Sequence, residues 1–324
     1  MRIFVTGGTG FIGGQLVSRL REGGHELVCL VRPSSQVAAL ERAGVQLVRG
    51  DLGDRASIRA GMQGCEGVAH LAACFEMWVP DRRVYRAVNV EGTRAVMESA
   101  LELGARKVVY LSTGVLYGNA TWPIRESTPY GARCASEYAR SKREADELAW
   151  GLHRDRGLPL VAVYPGAVLG PGDPKAAGRY VRALVLGKMP AQVVTSHSFA
   201  FVHVRDVCEI AARALEREST VGERYLANAE NLTFGQFNAL VAEVAGIRLP
   251  HFRIPDFLTL GMARTLTALA DITGRPPLWD MGFDQMAMMV QGFAIDGSKA
   301  ERELGIVYTP VRDAIAAEVE RLVG

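Results

Sequence analysis

The run Thr6-Gly7-Gly8-Thr9-Gly10-Phe11-Ile12-Gly13 constrains this chain more than any other, because of what flanks it. Before it, Arg2–Thr6 is a short apolar and β-branched stretch; after it, Phe11–Arg21 carries apolar residues at helical spacing. Glycines 8, 10 and 13 satisfy G-x-G-x-x-G, and glycines 7, 10 and 13 satisfy G-x-x-G-x-x-G. A strand turning this tightly into a helix brings backbone close to a pyrophosphate, and the helix start offers it unpaired N–H groups and a positive dipole end. A ligand-free tight turn would use similar glycines, but the strand–glycine–helix setting favours a dinucleotide.

The same alternation continues. Short β-rich runs recur at Glu26–Val31, Gln46–Arg49, Gly67–Leu71, Lys107–Ser112 and Leu158–Tyr164. Helical spacing fills Ser35–Arg42, Asp54–Met62, Val84–Leu103 and Ser136–Arg156 between them. Nearly continuous apolar strands alternating with helices predict an α/β fold, a Rossmann-type doubly wound parallel sheet covered on both faces. The rhythm breaks after Pro165. A loop at 170–174, a helix near Gly178–Leu186, strands at Phe199–Val202 and Gly222–Leu226, and a Met- and aromatic-rich stretch from Leu249 to Gln291 follow. The expected division is a dinucleotide-binding domain over 1–170, with strands returning from about 198–230, and a smaller, mostly helical substrate cap over 171–324.

Composition narrows the class. In 324 residues, 37 Lys+Arg stand against 35 Asp+Glu, a net charge of +2 that argues against gripping nucleic acid or an anionic membrane. Hydrophobic residues make up 48%, enough for a large core, yet no apolar run is long enough to span a bilayer. A first strand starting at Arg2 leaves no room for a signal peptide. Cysteines 29, 65, 74, 134 and 208 form an odd set without C-x-x-C, which indicates neither a disulfide frame nor a zinc site. A cytoplasmic enzyme without a metal is the expectation.

The end of the second strand bears on the choice of dinucleotide. An NAD site places an acid there for the ribose 2′-OH, whereas this chain has Arg32-Pro33-Ser34-Ser35. A guanidinium beside hydroxyls suits a 2′-phosphate, so NADP(H) is favoured over NAD(H), with Arg32 and Ser35 as its readers. The alternative is a solvated Arg32 and a serine that only caps the next helix. Asp51-Leu52, after the third strand, falls where an adenine edge would rest; Asp51 could equally cap a helix.

Tyr138-Ala139-Arg140-Ser141-Lys142 puts Tyr138 and Lys142 on one helical face, continued by Ala145, Ala149 and Leu152. A lysine in an apolar stripe is expensive to desolvate unless a partner holds it. A neighbouring ammonium would also draw the phenol toward a useful acid. The fifth strand ends in Ser112-Thr113, and either hydroxyl could donate to a substrate carbonyl oxygen.

With these motifs in view, the sequence resembles the extended short-chain dehydrogenase/reductases over essentially its whole length. TGGTGFIG (6–13), GDL (50–52), HLAA (70–73), NVEGT (89–93), LSTGVLYG (111–118), YARSK (138–142) and FVHVRDV (201–207) carry the resemblance. VRPSS (31–35) and GKMPA (187–191) make it most similar to dihydroflavonol reductase-like and hopanoid-associated sugar-epimerase-like members. The resemblance implies Tyr138 as acid/base, Lys142 on the nicotinamide ribose, and Thr113 at the family's serine position. It implies cofactor contacts from Gly7, Gly10, Phe11, Ile12, Gly13, Leu71, Ala72, Ala73, Asn89, Tyr164, Pro165 and Gly166, with Asn89 steadying the sheet rather than reacting. His203 and Asp206 read as structural, and Cys134 as a small helix-face residue. Helices over 84–104 and 134–156 imply a homodimer.

Three functions compete: an NADPH-dependent reductase of an apolar or aromatic aldehyde or ketone, a nucleotide-sugar epimerase or dehydratase holding NAD, and a non-catalytic NADP(H)-binding protein. Arg32 favours the first. So does Val161–Pro171, which lacks the R-x-F-N-x-[YF]-G-P run of the sugar-nucleotide members. An intact Tyr, Lys and hydroxyl set disfavours the third.

Overall fold

The computed structural model describes residues 1–189, 191–278 and 281–323, so Pro190 of the GKMPA segment and Trp279 of the aromatic-rich stretch lie outside the described residues. Strand and helix alternate as β1 (Arg2–Thr6), α1 (Phe11–Glu22), β2 (Glu26–Val31), α2 (Ala38–Arg42), β3 (Gln46–Arg49), α3 (Arg55–Met62) and β4 (Gly67–His70). There follow α4 (Arg83–Tyr85), a π-helical turn over Arg86–Glu91, α5 (Gly92–Glu102), β5 (Lys107–Leu111), α6 (Glu137–Arg156) and β6 (Leu160–Pro165). The later elements are β7 (Ala167–Leu169), α7 (Ala176–Val185), β8 (Gln192–Val193), β9 (Ser198–His203), α8 (Val204–Glu216), β10 (Arg224–Ala227), β11 (Glu230–Thr233), α9 (Phe234–Ala245) and β12 (Arg253–Ile254). Helices α10 (Asp256–Thr273), α11 (Phe283–Gln291), α12 (Ser298–Leu304) and α13 (Val311–Val323) complete the chain.

The central sheet is seven-stranded and parallel, in the order β10-β6-β5-β4-β1-β2-β3. The expected doubly wound sheet is therefore present, with the returning strand β10 as its seventh member. Strand order reverses between β1 and β4, the place where open α/β sheets bind ligands. Register aligns Thr6 with His70 and His70 with Tyr110, so three strands end side by side at that point.

Period-two alternation explains the two cores. Ile3, Val5, Leu27, Cys29 and Val31 face one way, onto Leu16, Val17 and Leu20 of α1 and Val207 and Ile210 of α8. Phe4, Val28 and Leu30 face the other way, onto Ile58 and Met62 of α3 and Val96, Met97 and Ala100 of α5. Each fully buried side chain of this kind contributes roughly 1.5–3 kcal/mol. The second core runs on through Tyr110 and Tyr164 to Phe201, Phe237 and Met286, joining the sheet to the helices beyond it.

Most boundaries shift by a residue or two, and two helices differ more from the sequence expectation. The helix expected from Ser35 starts at Ala38, because Ser35 N–H closes a turn on the Arg32 carbonyl at 3.0 Å. The helix expected over Val84–Leu103 is interrupted by the π-helical turn that carries Asn89. Small sheets β11-β9-β7 and β12-β8 also form beside the central one.

Candidate active site

A cavity of about 320 Å³ opens where β1, β4 and β5 end. Gly7, Gly10, Phe11, Ile12, Gly13, Leu71, Ala73, Thr113, Tyr138, Lys142, Pro165 and Gly166 all line it, so the structure brings these twelve expected residues together.

The glycine turn is tight for steric reasons. Gly7 has φ +79, and a Cβ there would stand 2.7 Å from the Ala72 nitrogen. A Cβ on Gly13 would sit 2.0 Å from the Gly7 carbonyl oxygen, which is why the helix can lie so close to its strand. Gly10 caps α1 without any side-chain bond, and the first turn holds no acid. The N–H groups at that end therefore point into the cleft with nothing anionic to compete for them, and a pyrophosphate fits. When bound, a nicotinamide dinucleotide would be held here by Gly7, Gly10, Phe11, Ile12 and Gly13.

Tyr138 and Lys142 lie in the first turns of α6, whose start is set by Ser136: its hydroxyl accepts from the Ala139 N–H at 3.0 Å. The Tyr138 ring meets Phe75 edge-on, with centroids 5.1 Å apart. Burial pushes its phenol well above the ordinary value, and the influence of the Thr113 hydroxyl pulls the other way. Thr113 shares the cavity lining with Tyr138, and of the two hydroxyls at the strand end it is the one that bears on the phenol. Ser112 is buried, and its hydroxyl lacks a well-formed hydrogen bond; the acids within its influence are Tyr110 and Asp146.

Lys142 is almost fully buried. Its ammonium donates to the Tyr110 hydroxyl at 2.8 Å and the Leu111 carbonyl at 3.1 Å. Burial pushes it down to about 7, and the Asp146 carboxylate opposes that fall. The ammonium is engaged on the Tyr110 side, and burial dominates the shift of the Tyr138 phenol.

Asp146 and Tyr110 escaped the sequence reading. One turn beyond Lys142, Asp146 is fully buried, accepts from the Tyr130 hydroxyl and, at 3.2 Å, from that of Tyr164, and lies 3.8 Å from Arg224. The signal was available: the spacing linking Tyr138 to Lys142 leads directly to 146. His70 bridges Thr6 at 2.7 Å and Thr93 at 3.0 Å; burial pushes it down to about 3, so it is a neutral link.

Other residues singled out in the sequence do not line the cavity. Asn89 is buried and spends its amide on protein: it accepts from Cys74 N–H at 2.7 Å and donates to Ser141 Oγ at 2.9 Å, pinning the loop after β4 to α6. Tyr164 points into the core, where its hydroxyl accepts from Trp150. Leu52 is buried against Gly92, and Ala72 donates to Thr6 Oγ1 behind the glycine turn. Asp51 caps no helix; it accepts from Gly53 N–H at 3.0 Å, and Asp54 caps α3. Cys134 lies against the Leu116 carbonyl outside the cleft. His203 caps α8, and Asp206 holds Thr309.

Arg32 and Ser35 stand on the open rim beyond β2. Neither serine caps α2, whose capping position is Val37. Arg32 is exposed, with no ion pair among the described residues, and Arg49 reaches its carbonyl at 3.4 Å, adding a second guanidinium. Opposite the glycine turn, Phe199, Phe201, Phe234, Phe237, Met288 and Phe293 form an apolar wall that includes the polar Gln285. Phe201 and Phe237 stack at 4.5 Å.

A model of the NAD dependent epimerase/dehydratase family matches residues 3–227. The chain belongs to that family. It is 33% identical to sterol demethylase protein B of Methylococcus capsulatus over 98% of this chain and 97% of that one. To the 2-alkyl-3-oxoalkanoate reductase of Shewanella oneidensis it is 29% identical, over 81% and 71%. Among solved structures, that of gox2253 superposes with a TM-score of 0.84 at 33% identity, covering 98% of this chain and 97% of that one. The protein is a nicotinamide-dependent oxidoreductase of the extended short-chain dehydrogenase/reductase type. No helix among the described residues is long and apolar enough to cross a membrane.

Proposed function

We propose that this enzyme reduces a ketone or aldehyde carbonyl on an apolar, ring-bearing substrate, with NADPH as reductant and Tyr138 as proton donor. The observation that carries this reading is that Tyr138 and Thr113 line one cleft with the glycine turn and a set of aromatic rings.

When bound, the nicotinamide supplies a hydride to the carbonyl carbon. Tyr138 stays protonated through the neutral range because burial disfavours its phenolate, so it arrives as an acid. As negative charge grows on the substrate oxygen, the phenol gives up its proton and Thr113 donates a second hydrogen bond to the same atom. In its protonated form Lys142, fixed in the same buried pocket by Tyr110 and Leu111, favours the anionic forms that arise during transfer. Phe199, Phe234 and Phe293 exclude water and offer rings to an apolar substrate. The relatives' names agree in part: a sterol is apolar and ring-bearing, and a 2-alkyl-3-oxoalkanoate is an alkyl-chain ketone without a ring.

The test is to purify the protein, analyse any bound dinucleotide, and follow NADPH consumption with a panel of cyclic apolar ketones. Stoichiometric alcohol formation is expected. Release of tightly bound NAD together with conversion of a nucleotide sugar would replace the reductase reading by the epimerase one.

A further inference from the structure

We propose that α10 is a docking face for the surface of an anionic lipid bilayer, on which the enzyme sits peripherally with its cleft rim beside the membrane. At about 100° per residue, Phe257, Leu258, Met262, Leu269 and Ile272, with the small residues between them, fall within an arc of about 140° on one side of the helix. That arc faces outward. Exposure along it runs from 42% at Met262 to 83% at Ile272, while Thr259, Ala263 and Ala270 face the protein. Phe252 before the helix and Leu278 after it are exposed as well, extending the surface at both ends. Monomeric proteins rarely leave a continuous apolar surface of this kind to water.

Charge identifies the occupant. Between Asp256 and Asp271 the helix carries one charged residue, Arg264, placed at the edge of the apolar arc. Arg248, Arg253 and Arg275 are exposed before and after it, and none of these four has an ion pair among the described residues. Asp271 is already held by Trp78 Nε1 at 2.8 Å and Arg82 at 3.2 Å, so it cancels none of them. Apolar side chains rimmed by uncompensated arginines match acyl chains under anionic headgroups. A second copy related by a two-fold axis would instead set the same arginines against one another. The net charge of +2 for the chain conceals this local concentration.

The helix is tied to the cleft. Trp78, bonded to Asp271, follows Phe75 and Met77, which line the cavity; α11, packed along α10, lines it through Gln285 and Met288. A docked α10 would bring that rim to the lipid surface, an arrangement suited to the apolar substrate proposed above, although docking itself does not depend on that reading.

Sedimentation with vesicles tests the proposal, comparing phosphatidylcholine alone with phosphatidylcholine mixed with phosphatidylglycerol. The wild type should partition onto the mixed vesicles, less so at high salt, and weakly onto the neutral ones. The combined Phe257→Ser, Leu269→Ser and Ile272→Ser variant, and separately Arg253→Glu with Arg264→Glu and Arg275→Glu, should each lose about tenfold or more in partitioning. Circular dichroism and dinucleotide titration confirm that each variant is folded. These exposed sites leave cofactor affinity unchanged, so a failed reductase assay and failed docking are separate results. Absence of wild-type partitioning, or partitioning unaffected by both sets, overturns the proposal. So does a wild-type dimer that the serine variant converts to monomer, since a second copy would then cover the face.

Discussion

One side of the cleft is formed by the ends of β1, β4 and β5 and the start of α1, the other by β9, α9, α11 and the residue Phe293 that follows. The first side is made of short-range geometry: glycines whose absent Cβ atoms allow close packing, hydroxyls at a strand end, and a tyrosine and lysine one helical turn apart. The second is made of rings gathered from separate segments, with Phe199 meeting Phe293 at 4.4 Å and Phe201 stacked on Phe237. The near side fixes what chemistry is available and the far side fixes what is admitted. Substitutions on the two sides should therefore separate into losses of turnover or cofactor and losses of substrate affinity.

The largest loss is expected at Tyr138. Tyr138→Phe removes the proton and keeps the ring against Phe75, so kcat should fall about 10²–10⁴-fold while dinucleotide affinity is retained. Thr113→Ala should lose less, and Ser112→Ala less again, because of the two hydroxyls only that of Thr113 bears on the phenol. Steady-state kinetics with an identified substrate decides it; a Tyr138→Phe enzyme within tenfold of wild type would remove the assigned acid.

Arg32 tests the near side at its far end. Arg32→Asp replaces an exposed guanidinium with a carboxylate that repels a 2′-phosphate and can accept from an unmodified ribose 2′-OH. Charge-assisted hydrogen bonds contribute ~1.5–3 kcal/mol, so NADP affinity should fall about tenfold or more while NAD affinity holds or rises. Tryptophan fluorescence titration of both cofactors measures this. Equal wild-type affinities, or equal small losses in the variant, would make Arg32 a solvated loop residue.

Much of the near side was legible because its signals are local. A strand, three glycines and a helix in immediate succession leave few alternatives, and a four-residue spacing places Tyr138 beside Lys142 whatever else the chain does. For Asn89 and Tyr164 the motif named a neighbourhood and not a direction. Asn89 turns to Cys74 and Ser141, and Tyr164 turns to Trp150 and Asp146. The far side was not legible: nothing in the sequence says that Phe201 and Phe237 stack, since that contact depends on how β9 and α9 pack. Likewise, the partners of Asp146 arrive from Tyr130, Tyr164 and Arg224, on three separate segments.

A smaller effect is expected on the far side. Phe234→Leu removes a ring that meets Tyr180, Phe199 and Phe201 but keeps an apolar side chain. Aromatic pairs contribute ~0.5–1.5 kcal/mol beyond area burial, so KM should rise severalfold with kcat and cofactor affinity nearly unchanged. A variant that lost cofactor affinity instead would mean that the two sides are not separable.

The smallest effect belongs to Lys142 and is read as stability against pH. Burial lowers its folded-state value to about 7 from the ordinary 10.5. Between those two values the unfolded chain holds a proton that the folded chain does not, so this group makes stability rise with pH across that window. Below about 7 both states are protonated and the folded protein carries the full cost of a buried ammonium. Lys142→Met removes the titrating group, whatever it also loses at Tyr110 and Leu111, so the Tm difference, variant minus wild type, should be most favourable to the variant near pH 6. It should then decline by about 2 °C or more toward pH 9, taking ~1.4 kcal/mol per pKa unit and ~2–4 °C per kcal/mol. Thermal melts across that range give the answer. A difference independent of pH would place the ammonium at its ordinary value, compensated by Asp146, and would make the buried pair a permanently charged one.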